Sequence, residues 1–160
     1  MLGIDVNRIQ KALSEFLPGA QRQFFTEING VTVIDDSYNA NPLSMEMAFH
    51  AMRQVNGKHY FLVLGDMGEL GEKEEQFHYE LGKIAANIGF DGMITVGKLS
   101  RHIAMGARDV GKTNIMECTT CEDAWQRLQK MIQSGDVVLV KGSRYMHMET
   151  ILELWRKSLN

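Results

Sequence analysis

The chain has 160 residues, of which 44% are hydrophobic and 23% are charged, and these proportions are typical of a globular protein with one buried core. Its 17 Lys and Arg residues against 20 Asp and Glu residues give a formal net charge of -3, without the basic block that neutralises nucleic-acid phosphates. No run approaches the roughly 18 to 20 apolar residues of a membrane span, and the first residues lack the basic-then-apolar order of a signal peptide. We therefore expect a cytoplasmic protein without a nucleic-acid partner or a membrane span.

The first part of the chain predicts a helix and then a hairpin. Apolar residues at helical spacing over residues 6–16 predict a short helix, which Pro18-Gly19 ends. Two β-rich runs, Gln23 to Ile28 and Val31 to Ile34, flank Asn29-Gly30, a dipeptide that favours a two-residue hairpin turn.

Strand and helix patterns then alternate to the end of the chain. A continuous apolar run predicts a buried strand at Tyr60 to Leu64, and further strands are predicted at Met93 to Val96 and Val137 to Val140, with a short one at Asn114 to Glu117. Apolar stripes predict helices over Leu43 to Val55, Phe77 to Ile88, Leu99 to Ala107, Ala124 to Ile132 and Met148 to Trp155. Asn41-Pro42 predicts the start of the first of these helices, and Thr119 with Glu122 predicts a capping box before the fourth. The pattern predicts an α/β, Rossmann-like three-layer domain whose mostly parallel sheet carries an antiparallel N-terminal hairpin strand.

Three predicted strand ends are polar and rich in glycine, and ligands of such sheets bind beyond the carboxyl ends of the strands. These segments are residues 35–42 (DDSYNANP), 65–71 (GDMGELG) and 141–144 (KGSR). Carboxylates accept hydrogen bonds from sugar hydroxyls or an ammonium, and Lys and Arg pair with phosphate or carboxylate. Asp, Asn and Gly also form ordinary turns, but three such loops at one sheet edge favour a site for a polar, charged ligand.

Residues 106–113 (GARDVGKT) match the phosphate-binding pattern G-x-x-x-x-G-K-[ST]. A working P-loop leaves a strand and enters a helix, whereas this segment follows a predicted helix and precedes a predicted strand. We interpret it as a glycine loop that ends a helix.

Cys118 and Cys121 form a C-x-x-C pair, which suits either a redox centre or half of a zinc site. Zinc needs four ligands, and the five histidines show no paired spacing that would supply the others. A redox pair would normally lie near the start of the fold, so we predict two small residues at a strand-to-helix junction.

Three longer strings carry a family resemblance. DDSYNANPLSM (35–45), LGDMGELG (64–71) and VLVKGSRYMHME (138–149) resemble, in order and spacing, the C-terminal domain of the D-alanyl-D-alanine-adding branch (MurF) of the Mur ligase family. The resemblance extends over nearly the whole chain. It implies that residues 1–160 form a single Mur ligase C-terminal domain, in which residues 1–19 provide an N-terminal helix and a link to a central domain outside this sequence.

The resemblance implies an ATP-dependent ligase that adds D-alanyl-D-alanine to UDP-N-acetylmuramoyl tripeptide in peptidoglycan synthesis. In such ligases the tripeptide carboxylate becomes an acyl phosphate, which the amine of the dipeptide attacks while Mg²⁺ neutralises the phosphates. ATP and Mg²⁺ are then expected to bind mainly to the central domain. The protein is expected to be a monomer, and this fragment alone is expected to be inactive.

Applied to individual residues, the resemblance implies that some side chains of this domain contact ATP and others contact the substrate. It implies no catalytic residue and no metal ligand in this domain. The expected ATP contacts are Arg22, Asp36, Tyr38 and Asn39. The expected substrate contacts are Asn41, Asp66, Glu69, Lys141, Ser143 and Arg144. Arg22 departs from the family pattern, because it lies one residue closer to Asp36 than expected, and a helix cap also explains Asn41.

Two other interpretations stay open at this point. The same three loops would also suit a stand-alone α/β module that binds a nucleotide or metabolite, and residues 106–113 would suit a small P-loop kinase. Coding sequence upstream of Met1 that encodes a strand, a P-loop and a helix would favour the ligase.

Overall fold

The computed structural model describes residues 24–159, which form a six-stranded sheet with helices on both faces. The strands are β1 (Phe24–Ile28), β2 (Val31–Asp36), β3 (Tyr60–Gly65), β4 (Gly92–Val96), β5 (Ile115–Cys118) and β6 (Val137–Lys141). The α-helices are α1 (Pro42–Gln54), α2 (Glu74–Ile88), α3 (Arg101–Asp109), α4 (Cys121–Leu128) and α5 (Glu149–Lys157). Two short 3₁₀-helices, Gly71–Lys73 and Arg144–Met146, follow β3 and β6. The predicted helix over residues 6–16, Arg22 and Gln23 lie outside the described residues.

The strand order is β1-β2-β6-β3-β4-β5. β1 pairs with β2 in the antiparallel sense, and every other pair is parallel. This confirms the predicted mostly parallel sheet with an antiparallel hairpin strand. Since the last strand, β6, lies between β2 and β3, the loops that follow these three strands are neighbours at the carboxyl edge, where the direction of winding changes.

The core has one layer on each face of the sheet, as the predicted three-layer fold requires. Alternate side chains of β6 point to opposite faces: Val137 and Leu139 belong to the core layer that includes α1, α2 and α3, whereas Val138 and Val140 belong to the layer that includes α4 and α5. On the second face, the indole rings of Trp125 and Trp155 stack with their centroids 5.3 Å apart. Among the described helices, none combines the length and the apolar character needed to cross a membrane.

Local sequence signals set most boundaries correctly. Asn29-Gly30 forms the hairpin turn with positive φ at both residues, and Asn41 caps α1. The Asn41 Oδ1 atom accepts the Ser44 N–H at 2.9 Å, and the Ser44 Oγ atom accepts the Asn41 N–H at 3.0 Å, which completes a capping box.

The predicted cap of α4 at Thr119 is wrong by one residue. Strand β5 continues to Cys118, which is paired with Val96, so the helix begins one residue later than predicted. Thr120 is the cap, and its side chain accepts the Asp123 N–H at 3.1 Å. Helix α4 also ends at Leu128, earlier than its apolar stripe predicts.

Candidate functional site

A buried ion pair joins the ends of β2 and β6. The register of the parallel pair places Lys141 beside Asp36, and the Lys141 Nζ atom lies 2.7 Å from the Asp36 Oδ2 atom. The same ammonium donates a hydrogen bond to the Asn39 carbonyl oxygen at 2.9 Å. Lys141 is 2% exposed and Asp36 is 7% exposed, so water screens this pair weakly. Lys141 therefore neutralises Asp36 and holds the loop after β2.

Ser143 links this loop to the loop after β3. Its Oγ atom accepts the Gly68 N–H at 2.7 Å and lies 3.4 Å from the Ala40 carbonyl oxygen, to which it donates. Its own N–H donates to the Asp66 carbonyl oxygen at 2.9 Å. The three predicted loops are thus bonded to one another at the centre of the carboxyl edge.

Asp66 extends the cluster to a fourth loop, which follows β4. Its Oδ1 atom accepts the N–H groups of Leu99 at 3.1 Å and Ser100 at 2.6 Å, and its Oδ2 atom accepts that of Lys98 at 3.1 Å. Asp66 is buried, and its carboxylate therefore satisfies amides at the start of α3. This role was not predicted from the sequence, because the amides that Asp66 accepts lie 32 to 34 positions further along the chain.

The groups of the site that reach solvent lie on the rim of this cluster. Tyr38, Asn39, Asn41, Glu69 and Arg144 are exposed. The guanidinium carbon of Arg144 lies 5.6 Å from the centroid of the Tyr38 ring. The Arg144 Nη1 atom also lies 3.1 Å from the Glu149 Oε1 atom. The site thus combines a buried centre, which contains the Lys141–Asp36 ion pair, with an exposed rim that carries both a cation and a carboxylate.

The described residues contain no cluster of potential metal-ligating side chains. In residues 24–159, no group of three or more His, Cys, Asp or Glu side chains is arranged to hold a metal ion. Both buried carboxylates at this edge of the sheet bind protein groups: Asp36 pairs with Lys141, and Asp66 accepts three backbone N–H groups.

Residues 106–113 end a helix, as predicted. Gly106 lies within α3, where a Cβ atom would collide with the Tyr79 carbonyl group of α2. The Lys112 ammonium is 3.4 Å from the Phe90 carbonyl oxygen and 5.0 Å from the centroid of the Phe90 ring. This segment therefore lacks the strand-to-helix context of a P-loop, and its lysine side chain lies against Phe90.

The two cysteines also lie where the sequence predicts, at the junction between β5 and α4. Both are buried free thiols. Burial raises the pKa of Cys118 to about 12 and that of Cys121 to about 11. Both free thiols therefore carry little of the thiolate character of a reactive redox cysteine.

The Mur ligase family model described as "Mur ligase, glutamate ligase domain" matches residues 22–144. The chain belongs to the Mur ligase family. It is 35% identical, over 94% of its length, to the UDP-N-acetylmuramoyl-tripeptide--D-alanyl-D-alanine ligase of Bacillus subtilis. It is 36% identical, over 75% of its length, to the ligase of the same name from Escherichia coli.

Solved structures of such ligases share the fold. A crystal structure of MurF from Acinetobacter baumannii aligns over 98% of this chain and 35% of that chain, with a TM-score of 0.80 and 35% identity. MurF from Thermotoga maritima in complex with ADP aligns over 95% of this chain and 36% of that chain, with a TM-score of 0.76 and 28% identity. The resemblance indicated by the three strings is confirmed. The chain spans about a third of the length of the curated relatives, 34% for the Bacillus subtilis ligase, and it corresponds to their C-terminal domain.

Proposed function

We propose that this chain is the C-terminal domain of an ATP-dependent ligase that joins D-alanyl-D-alanine to UDP-N-acetylmuramoyl tripeptide in peptidoglycan synthesis. The observation that carries the proposal is the similarity, over 94% of the chain, to a ligase named for these substrates. The four bonded loops at the carboxyl edge support it, because they present polar groups where such sheets bind ligands. These observations favour a ligase domain over a stand-alone binding module.

The loop after β2 is proposed to form the nucleotide side of the site. Asp36 has a carboxylate that suits the hydroxyl groups of the ATP ribose. A lone buried carboxylate would repel the phosphates of ATP, but the Lys141 ammonium 2.7 Å away offsets its charge. Tyr38 and Asn39 are exposed on the same loop and are proposed to contact ATP beside Asp36. Arg22, the remaining proposed ATP contact, lies outside the described residues.

The exposed rim is proposed to bind the dipeptide, which carries an ammonium and a carboxylate. Arg144 offers a guanidinium for the carboxylate, and Glu69 offers a carboxylate for the ammonium. The other four predicted substrate residues, Asn41, Asp66, Lys141 and Ser143, all bond to protein groups in this structure. We propose that Asp66, Lys141 and Ser143 act by holding the loops at the carboxyl edge, and that Asn41 acts by fixing the start of α1.

The domain is proposed to bind and orient substrates, while a central domain supplies the phosphate-binding loop. ATP, when bound, provides the phosphoryl group that activates the tripeptide carboxylate. ATP and Mg²⁺ are proposed to bind mainly to that central domain. Closure of this domain would then bring Asp36 to the nucleotide and Arg144 to the dipeptide.

A reconstituted reaction tests the proposal. The full-length protein is incubated with ATP, Mg²⁺, UDP-N-acetylmuramoyl tripeptide and D-alanyl-D-alanine, and the mass of the product is measured by mass spectrometry. We expect the pentapeptide product with D-alanyl-D-alanine and none when L-alanyl-L-alanine replaces it. Ligation of a single amino acid, with no use of the dipeptide, would assign the protein to another branch of the family.

A further inference from the structure

Helix α2 places a buried histidine beneath the loop that follows β3. His78 is 0% exposed, and its Nε2 atom lies 2.8 Å from the Met67 nitrogen, while its Nδ1 atom lies 2.7 Å from the Glu74 carbonyl oxygen. A backbone N–H only donates and a carbonyl oxygen only accepts. The ring must therefore be neutral, with its proton on Nδ1, so that Nε2 accepts the Met67 N–H.

The surroundings of the ring favour this neutral form. Burial lowers the pKa of His78 and outweighs the hydrogen bond to Glu74, which raises it. The charged or titratable groups that face the ring are Asp66, Glu74 and His102, of which the two carboxylates raise the pKa and His102 lowers it. An imidazolium would direct an N–H group at the Met67 N–H and break the bond.

The bond to His78 is the middle one of three consecutive anchors. Asp66 accepts the N–H groups of the loop after β4, Met67 donates to His78, and Gly68 donates to Ser143. Gly97 makes the first anchor possible, because a Cβ atom there would lie 2.5 Å from the Asp66 Oδ1 atom. Each of these three residues is thereby tied to a different element.

The next residue along the chain is Glu69, which is exposed and adopts a positive φ of 61°. A non-glycine residue in this conformation depends on its surroundings to hold it there. The direction in which the Glu69 carboxylate points is therefore set by the three anchors that precede it.

We propose that His78 is a positioning residue for the dipeptide site: by accepting the Met67 N–H it fixes the loop that presents Glu69 to the ammonium of the incoming dipeptide. The inference rests on the proposed function and deepens it. His78 acts through the backbone and does not touch the substrate.

The test compares three variants of the full-length ligase. His78→Leu removes the acceptor while keeping an apolar side chain, and His78→Gln places an amide oxygen close to the position of Nε2. Leu81→Ala, in the same helix and also buried, weakens the packing of α2 without a hydrogen bond to the loop. The measurements are the KM values for D-alanyl-D-alanine and ATP, and the exchange rate of the Met67 amide proton.

We expect His78→Leu to raise the KM for the dipeptide roughly tenfold, with a much smaller change in the KM for ATP, and to speed exchange of the Met67 amide roughly tenfold or more. His78→Gln should restore most of both values. Leu81→Ala should leave the KM for the dipeptide within about twofold of the wild-type value.

An unchanged KM for the dipeptide in folded His78→Leu, or an equal rise of this KM in Leu81→Ala, would overturn the inference. Slow Met67 exchange in His78→Leu would also overturn it, because the anchor would then lie elsewhere. A wild-type enzyme that does not ligate the dipeptide would contradict the proposed function instead, and the exchange rates would still show whether His78 holds the loop.

Discussion

Removing either partner of the buried Lys141–Asp36 pair should destabilise the fold far more than removing both. Lys141 is 2% exposed beside Asp36, and in Asp36→Ala its ammonium would keep the Asn39 carbonyl oxygen as a partner but lose the carboxylate. Leaving one buried charge without its counter-charge costs about 3 to 5 kcal/mol of unfolding free energy. Lys141→Met should also destabilise the fold, because the buried Asp36 carboxylate loses the ammonium 2.7 Å away.

The double variant, Asp36→Ala with Lys141→Met, removes both charges and should recover much of this loss. We expect a coupling free energy of about 2 to 3 kcal/mol from the double-mutant cycle. The assay is urea unfolding of the 160-residue chain followed by circular dichroism. The Arg108–Glu117 pair provides the control, because its side chains are 41% and 42% exposed and Arg108→Met should cost no more than about 1 kcal/mol.

Additive losses of under about 1 kcal/mol for each single variant would refute this reasoning. The pair would then behave like the exposed Arg108–Glu117 pair, and water would have to reach the Lys141 ammonium despite its burial.

Three further predictions concern the histidine, the cysteines and the P-loop-like segment. Because burial lowers the pKa of His78 in the folded state, the unfolded chain takes up a proton on this histidine first as the pH falls, and the unfolding free energy should decline below about pH 6.5. Urea titrations at several pH values should show a smaller decline for His78→Gln than for the wild type. An equal decline in both proteins would contradict this prediction. Replacing Cys118 and Cys121 with alanine should cost only about 1 to 2 kcal/mol, and stoichiometric zinc in the purified protein by elemental analysis would show a metal role instead. Lys112→Ala should leave the ATP hydrolysis of the full-length enzyme unchanged, whereas its loss would make residues 106–113 a phosphate site.

The fold was predictable where local chemistry decides it. The hairpin at Asn29-Gly30 and the start of α1 at Asn41 depend on residues within four positions of each other, so the sequence alone reveals them. The start of α4 depends instead on where β5 stops. The end of β5 is set by the pairing of Cys118 with Val96 in the neighbouring strand, and this pairing cannot be predicted from the local sequence.

The sequence predicts the location of the site better than it predicts the role of each residue in it. Buried strands that end in polar, glycine-rich loops indicated the carboxyl edge, and the structure brings those loops together. The roles of Asp66 and Lys141 depend on partners 32 to 34 and 105 positions away, respectively, so their engagement with protein groups was hidden. His78 was missed for a related reason, since a single histidine within an amphipathic helix looks like any other core position.

Steady-state kinetics of two variants of the full-length enzyme, with each substrate varied separately, tests the central claim most directly. The claim is that the strand-end loops of this domain contact ATP through Asp36 and the dipeptide through Arg144. Asp36→Ala should lower the specificity constant for ATP, and Arg144→Ala that for D-alanyl-D-alanine, each by about tenfold to a hundredfold, as expected for a lost charge-assisted contact. If both variants are folded, as judged by circular dichroism, and keep near-normal constants for both substrates, the loops are structural turns and the claim is wrong.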